Sequence, residues 1–288
     1  MEKIDELISI MKKISDALER IAPNTAQECD FNTCNAFIWD ATSLSFRPVP
    51  NVNRVELELL KGIDQQINLL LTNTSQFLDG FPANNALLWG ARGTGKSSLV
   101  KAIHQQLQND KSKRLILIEV HKEDITSLPQ LLNVLRPEKN KFLLFCDDLS
   151  FSDEDDTYKS LKGILEGGIE GRPKNVLFYA TSNRRHLLSR NMIENEQSSA
   201  IHASESVEEK VSLSDRFGLW IGFHNCSQDT YYKIIESYCD KYELNDPSID
   251  LQSEANEWCV TRGSRSGRVA WQYIQDLAGR LGKTIDLE

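Results

Sequence analysis

Apolar side chains recur at steps of three and four from the start of the chain. Ile4, Leu7, Met11, Ile14, Leu18 and Ile21 share one helical face, which predicts an amphipathic helix over residues 3–22. A stripe this short suits either packing on its own domain or oligomerisation and partner docking. Residues 22–50, interrupted by Pro23, Pro48 and Pro50, read as an irregular connector with one strand-like piece, Ala36 to Trp39. Beyond them, near-continuous apolar runs alternate with helical ones. Ala86–Trp89 precedes Ser97–Gln108, Leu115–Val120 precedes Leu128–Leu135, and Phe142–Cys146 precedes Tyr158–Leu165; Val176–Ala180 and Leu219–Phe223 follow. Uninterrupted apolar strands separated by helices predict a parallel sheet covered on both faces.

After residue 226 only helical spacing remains. Tyr231, Ile234, Ile235 and Tyr238 mark one face, and Val269, Ala270, Tyr273, Ile274, Leu277 and Leu281 another, so the carboxy-terminal part is expected to be a small all-helical domain. Residues 190–211, rich in Ser and Glu, carry too few apolar groups to hold a fold of their own and read as a mobile insertion. The expected division is an N-terminal helix and connector (1–45), an α/β domain (46–225) and a helical lid (226–288).

Composition narrows the class. The 288 residues are 40% apolar and 26% charged with a net charge of −9, an ordinary globular balance that disfavours binding a phosphate backbone over the whole surface. Apolar runs fall well short of the roughly 18 residues of a membrane span. The amino terminus lacks the basic start and apolar core of a secretory leader, so a cytoplasmic protein is expected. Six cysteines and five histidines are scattered without paired spacing, and no disulfide framework or structural metal is expected.

The chemistry enters with Gly90–Ser97, GARGTGKS, directly after the strand ALLW and directly before a helix. This is the phosphate-loop pattern in its proper context. Gly90, Gly93 and Gly95 let the backbone curl with its N–H groups inward, and the following helix adds its positive end. Ala91, Arg92, Thr94 and Ser98 complete the loop. Lys96 is expected on the β and γ phosphates of ATP and the Ser97 hydroxyl on Mg2+. A second strand, KFLLFCDD, ends in two carboxylates, placed where such sheets bind phosphates. Asp147 is expected to hold the Mg2+ and Asp148 to polarise the attacking water.

Together GARGTGKSS, FLLFCDD, ATSN and SLSDRFG resemble the AAA+ ATPases. Longer stretches, among them ANNALLWGARGTGKSSLVKAI, LEGGIEGRPKNVLFYATSNRRHL and RGSRSGRVAWQYIQDLAGRLG, are similar to a bacterial AAA+ family catalogued as domain of unknown function 815, over roughly residues 46–282. The resemblance implies the three-layer P-loop NTPase fold with a helical lid, and an oligomer, a ring among the options. It implies that Asn183 is the sensor 1 amide, that Arg216 is an arginine finger completing a neighbour's site, and that Arg268, with Arg265 as competitor, is the sensor 2 arginine. Gly62 and Ile63 then contact adenine. The second acid is Asp148 where most of the superfamily has Glu, which moves the expectation towards slow or switch-like hydrolysis. Two functions follow: an oligomeric ATPase remodelling or loading a protein or nucleic-acid target, or an ATP-gated scaffold resembling a helicase loader. Arg172, Lys174, Arg184, Arg185 and Arg190 form a basic cluster in sequence.

Overall fold

A computed structural model describes residues 11, 13, 29–108, 114–151, 157–166, 171–185, 187 and 216–285. The expected amino-terminal helix and the insertion 190–211 lie outside the described residues, apart from helical Met11 and Lys13.

Seven strands form one sheet: β1 (Ala36–Asp40), β2 (Ser45–Pro48), β3 (Ala86–Gly90), β4 (Leu115–Glu119), β5 (Lys141–Cys146), β6 (Val176–Ser182) and β7 (Leu219–Phe223). Their order is β2-β1-β4-β5-β6-β3-β7. All neighbours run parallel except β1 and β2. The helices are α1 (Asp64–Leu78), α2 (Lys96–Gln108), α3 (Leu128–Leu135), α4 (Thr157–Glu166), α5 (Gln228–Lys241), α6 (Leu251–Arg262) and α7 (Gly267–Arg280), with 3-10 turns at Leu57–Leu59 and Lys122–Ser127.

The sequence logic of the central strands is visible in their burial. Every residue of β6 is buried, as are the last five of β5, because helices cover both faces. Alternate residues feed opposite cores: Phe142, Leu144 and Cys146 join Phe178 and Ala180 on one face, while Leu143 and Phe145 join Leu177 and Tyr179 on the other. A polar cluster interrupts the second core, where the Tyr179 hydroxyl accepts from Asn73 Nδ2 at 2.9 Å and pairs with Thr74 Oγ1 at 2.8 Å.

The piece Ala36–Trp39 is more than a connector. β1 pairs in parallel with β4, and β2 folds back on β1 with Trp39 opposite Phe46. The sheet thus begins before residue 46. Trp39 is fully buried, its indole N–H donating to Ser127 Oγ at 2.7 Å. Helices α5, α6 and α7 enclose a third core built on Tyr231, Ile235, Tyr273, Ile274 and Leu277, into which Leu59 inserts. Each of the three is capped at its start: Ser227 accepts from Thr230, Asp250 from Ser253 and Ser266 from Val269. Among the described residues no helix is long and apolar enough to cross a membrane.

Candidate functional site

Strand order brings the chemistry together. β5, β6 and β3 lie side by side, and from their carboxyl ends emerge the two carboxylates, Asn183 and the phosphate loop. Ligands bind at this edge of open parallel sheets. A cavity of about 870 Å³ opens there between the sheet edge and the helical lid. It is lined by Arg92 through Ser98, Asp147, Asp148 and Asn183 from the sheet side, by Gly62 and Ile63 from the turn before α1, and by Arg268 from α7.

Gly93 and Gly95 hold φ of +74° and +92°, left-handed values open to glycine at little cost. Gly90 is required for a second reason, since a Cβ there would stand 2.0 Å from the Phe223 carbonyl oxygen of β7. Lys96 spends its three donors on Gly90 O (2.8 Å), Ala91 O (2.7 Å) and Asn183 Oδ1 (3.2 Å). Burial pushes its ammonium below the usual lysine range; Arg268 and Arg92 push the same way, against the pull of Asp147 and Asp148. A desolvated cation at the mouth of a loop of backbone amides is electrostatically suited to a polyanion.

The Ser97 hydroxyl donates to Asp147 Oδ1 at 2.6 Å. Thr181, which the sequence analysis passed over, donates to the same oxygen at 2.5 Å and accepts from the Asp148 N–H at 2.9 Å. Asp148 has φ of +51°, a strained backbone for a non-glycine residue though among the least strained for Asp. That turn sends the two carboxylates apart, Asp147 towards Ser97 and Asp148 towards Asn183, whose Nδ2 donates to Asp148 Oδ1. Asn183 therefore bridges the loop lysine and the second carboxylate.

Other expected residues fall as follows. Gly90 and Ala91 do not line the cavity; both carbonyls accept from Lys96, and that of Ala91 also from Thr94. Arg268 lines the cavity and Arg265 does not. Arg216 is partly exposed and outside the cavity of its own chain. The basic cluster divides: Arg172 is half-buried and donates to Asn85 Oδ1 (2.5 Å) and Ala83 O (3.1 Å), so it braces the fold. Arg184 and Arg185 are exposed, with Arg185 5.3 Å from the Trp89 ring centroid; Arg190 lies outside the described residues. The lid also lines the cavity with Thr230, Tyr238 and Trp271; Tyr238 reads as helix core in the sequence, and the other two carry no site signal there.

The fold of this arrangement is that of the P-loop proteins of the AAA+ class. Among solved structures, the chain is similar to the RuvB Holliday junction branch migration motor of Thermotoga maritima, at 16% identity and a TM-score of 0.51, covering 80% of this chain and 67% of that one. It is also similar to the Orc1 protein of Aeropyrum pernix in complex with DNA, at 14% identity and a TM-score of 0.54, covering 80% of this chain and 66% of the other. The chain thus spans about two thirds of each. Its own family is narrower: the chain belongs to the family described as protein of unknown function (DUF815), whose model matches residues 32–281. No curated protein matches the sequence.

Proposed function

We propose that the protein is a Mg2+-dependent ATPase that works as an oligomer on a macromolecular target. The observation that carries this reading is the convergence, in one cavity, of the phosphate loop with Lys96, the Ser97–Asp147 pair and the Asp148–Asn183 pair. The donor set fits magnesium: Ser97 and Asp147 offer hard oxygens. Two protein oxygens suffice for a Mg2+ that completes its shell with phosphates and water. When bound, Mg2+ neutralises charge on the β and γ phosphates.

The residues divide the remaining work. Lys96 and the loop amides hold the phosphates, Gly62 and Ile63 the base. Asp148 polarises the attacking water, and Asn183 orients it while tying that carboxylate to the lysine. Arg268 brings positive charge from the lid. Arg216, outside its own cavity, acts on the site of a neighbouring subunit. The α/β body up to about residue 225 thereby forms one jaw and residues 226–288 the other. The target is a protein or a nucleic acid; with a net charge of −9, a nucleic acid would meet a local patch such as Arg184 and Arg185.

Titration of Mg2+–ATP tests the binding step. The parent chain binds, and Lys96→Ala binds at least about 100-fold more weakly, because a desolvated charge-assisted contact is lost; no binding by the parent overturns the reading. One feature favours a second reading, an ATP-gated scaffold or loader with incidental turnover. Asp148 is a short carboxylate already engaged by Asn183. In that case Asp148→Asn preserves function at the target, whereas in an ATPase motor it abolishes it.

A further inference from the structure

We propose that the lid sets the binding geometry of the phosphate loop through one backbone hydrogen bond, which makes Gly267 a positioning residue for the nucleotide phosphates; this rests on the ATP-binding reading above. Gly267 is the first residue of α7, and its N–H is one of the donors that a helix start leaves without an internal partner. It donates to the carbonyl oxygen of Gly93, in the middle of the phosphate loop, at 3.0 Å.

The two segments meet closely, with less room at Gly93 than at Gly267. A Cβ on Gly93 would lie 2.9 Å from Ser266 Oγ and 3.2 Å from Arg268 Cβ, and one on Gly267 would lie 3.3 Å from the Gly93 oxygen. The lid side of this contact is stiff. Ser266 is 5% exposed and its Oγ accepts from Val269 N at 3.3 Å, which anchors the first turn of α7.

Peptide planarity turns this contact into a constraint on the loop. In a trans peptide the carbonyl and the following N–H point in opposite directions. With the Gly93 oxygen held by the lid, the Thr94 N–H points away from α7, towards the interior of the loop where phosphate amides are needed. If the lid swings away, the plane is released, and a flip would present a carbonyl oxygen to the phosphates. Lid docking and phosphate affinity are therefore coupled, and the coupling is reciprocal: bound polyphosphate holds the lid down.

Proline at position 267 breaks the bond. Gly267 is not among the positive-φ glycines, and Ser266 before it is extended at φ −157° and ψ 161°, the conformation that precedes proline; proline is also favoured at a first helical position. Gly267→Pro removes the donor and sets its ring Cδ against the Gly93 oxygen, so it both breaks the bond and pushes the two segments apart. Gly267→Ala keeps the donor. We expect Gly267→Pro to weaken ADP binding about 10-fold with adenosine affinity unaltered, and Gly267→Ala to lose clearly less. Equal ADP affinity in parent and Gly267→Pro overturns the proposal, as does an equal loss for ADP and adenosine. If the parent binds no ADP, the ATP-binding reading itself has failed. Should Gly267→Pro not fold, amide hydrogen exchange in the parent decides: Gly267 exchanges more slowly than Gln228, the first residue of α5, and equal exchange overturns the proposal.

Discussion

Thr181 fastens one carboxylate and one backbone amide with a single hydroxyl. Its proton goes to Asp147 and its lone pair takes the N–H of Asp148, so loss of the hydroxyl both frees the metal-side carboxylate and leaves an amide unpartnered at a strained residue. Thr181→Val, which preserves shape, is expected to lower kcat by about 10-fold or more and to raise the Mg2+ concentration needed for half-maximal activity. Thr181→Ser retains the hydroxyl and is expected to recover most of the activity; a serine variant as impaired as valine contradicts the role. The sequence offered a faint signal here, since Thr181 stands two residues before Asn183 in the strand that delivers it. Its β propensity gave a sufficient local reason for its presence, and the site role became visible only with the strand order. Arg172 shows the converse. It reads as part of an exposed basic run, yet the structure spends its guanidinium on Asn85 and Ala83, and no local pattern encodes such a long-range partner.

At the level of elements, the strands and helices around the phosphate loop were legible because each is a short apolar or amphipathic run with its own period. The pairing of β1 with β4 was not, because register between distant segments is absent from local periodicity. The same limit hid the contact of Gly93 with Gly267, two glycines that serve their own turn and helix start equally well. Helix α2 carries a further consequence. His104 is 2% exposed, with Nε2 3.1 Å from the Leu115 carbonyl, and burial, aided by the charge of Arg54, pushes its imidazole down to about 4. The unfolded chain, titrating near 6.5, binds the proton more readily, so stability present above pH 6.5 is lost as pH falls towards 4. The full difference amounts to about 3 kcal/mol. Denaturant titrations from pH 7.5 to 4 are expected to show His104→Leu with a shallower decline than the parent, the Leu115 carbonyl keeping its Gln108 donor. Parallel declines would show that His104 titrates normally in the fold.

For the whole molecule, the decisive geometry is where Arg216 sits. It opens the segment leading into β7, outside the cavity of its own chain; on the proposed arginine-finger reading its charge would reach a phosphoryl group across an interface between copies, and site assembly would then depend on protein concentration. The proposed coupling of lid and loop acts at the same scale, since it would make nucleotide occupancy a property of the jaws as well as of the loop. Steady-state ATP hydrolysis with Mg2+, measured over a wide range of protein concentration for the parent and Arg216→Ala, tests this most directly. The account predicts specific activity that rises with concentration in the parent and falls by about 1,000-fold in the variant while ATP binding persists. Hydrolysis independent of concentration and indifferent to Arg216→Ala would contradict it.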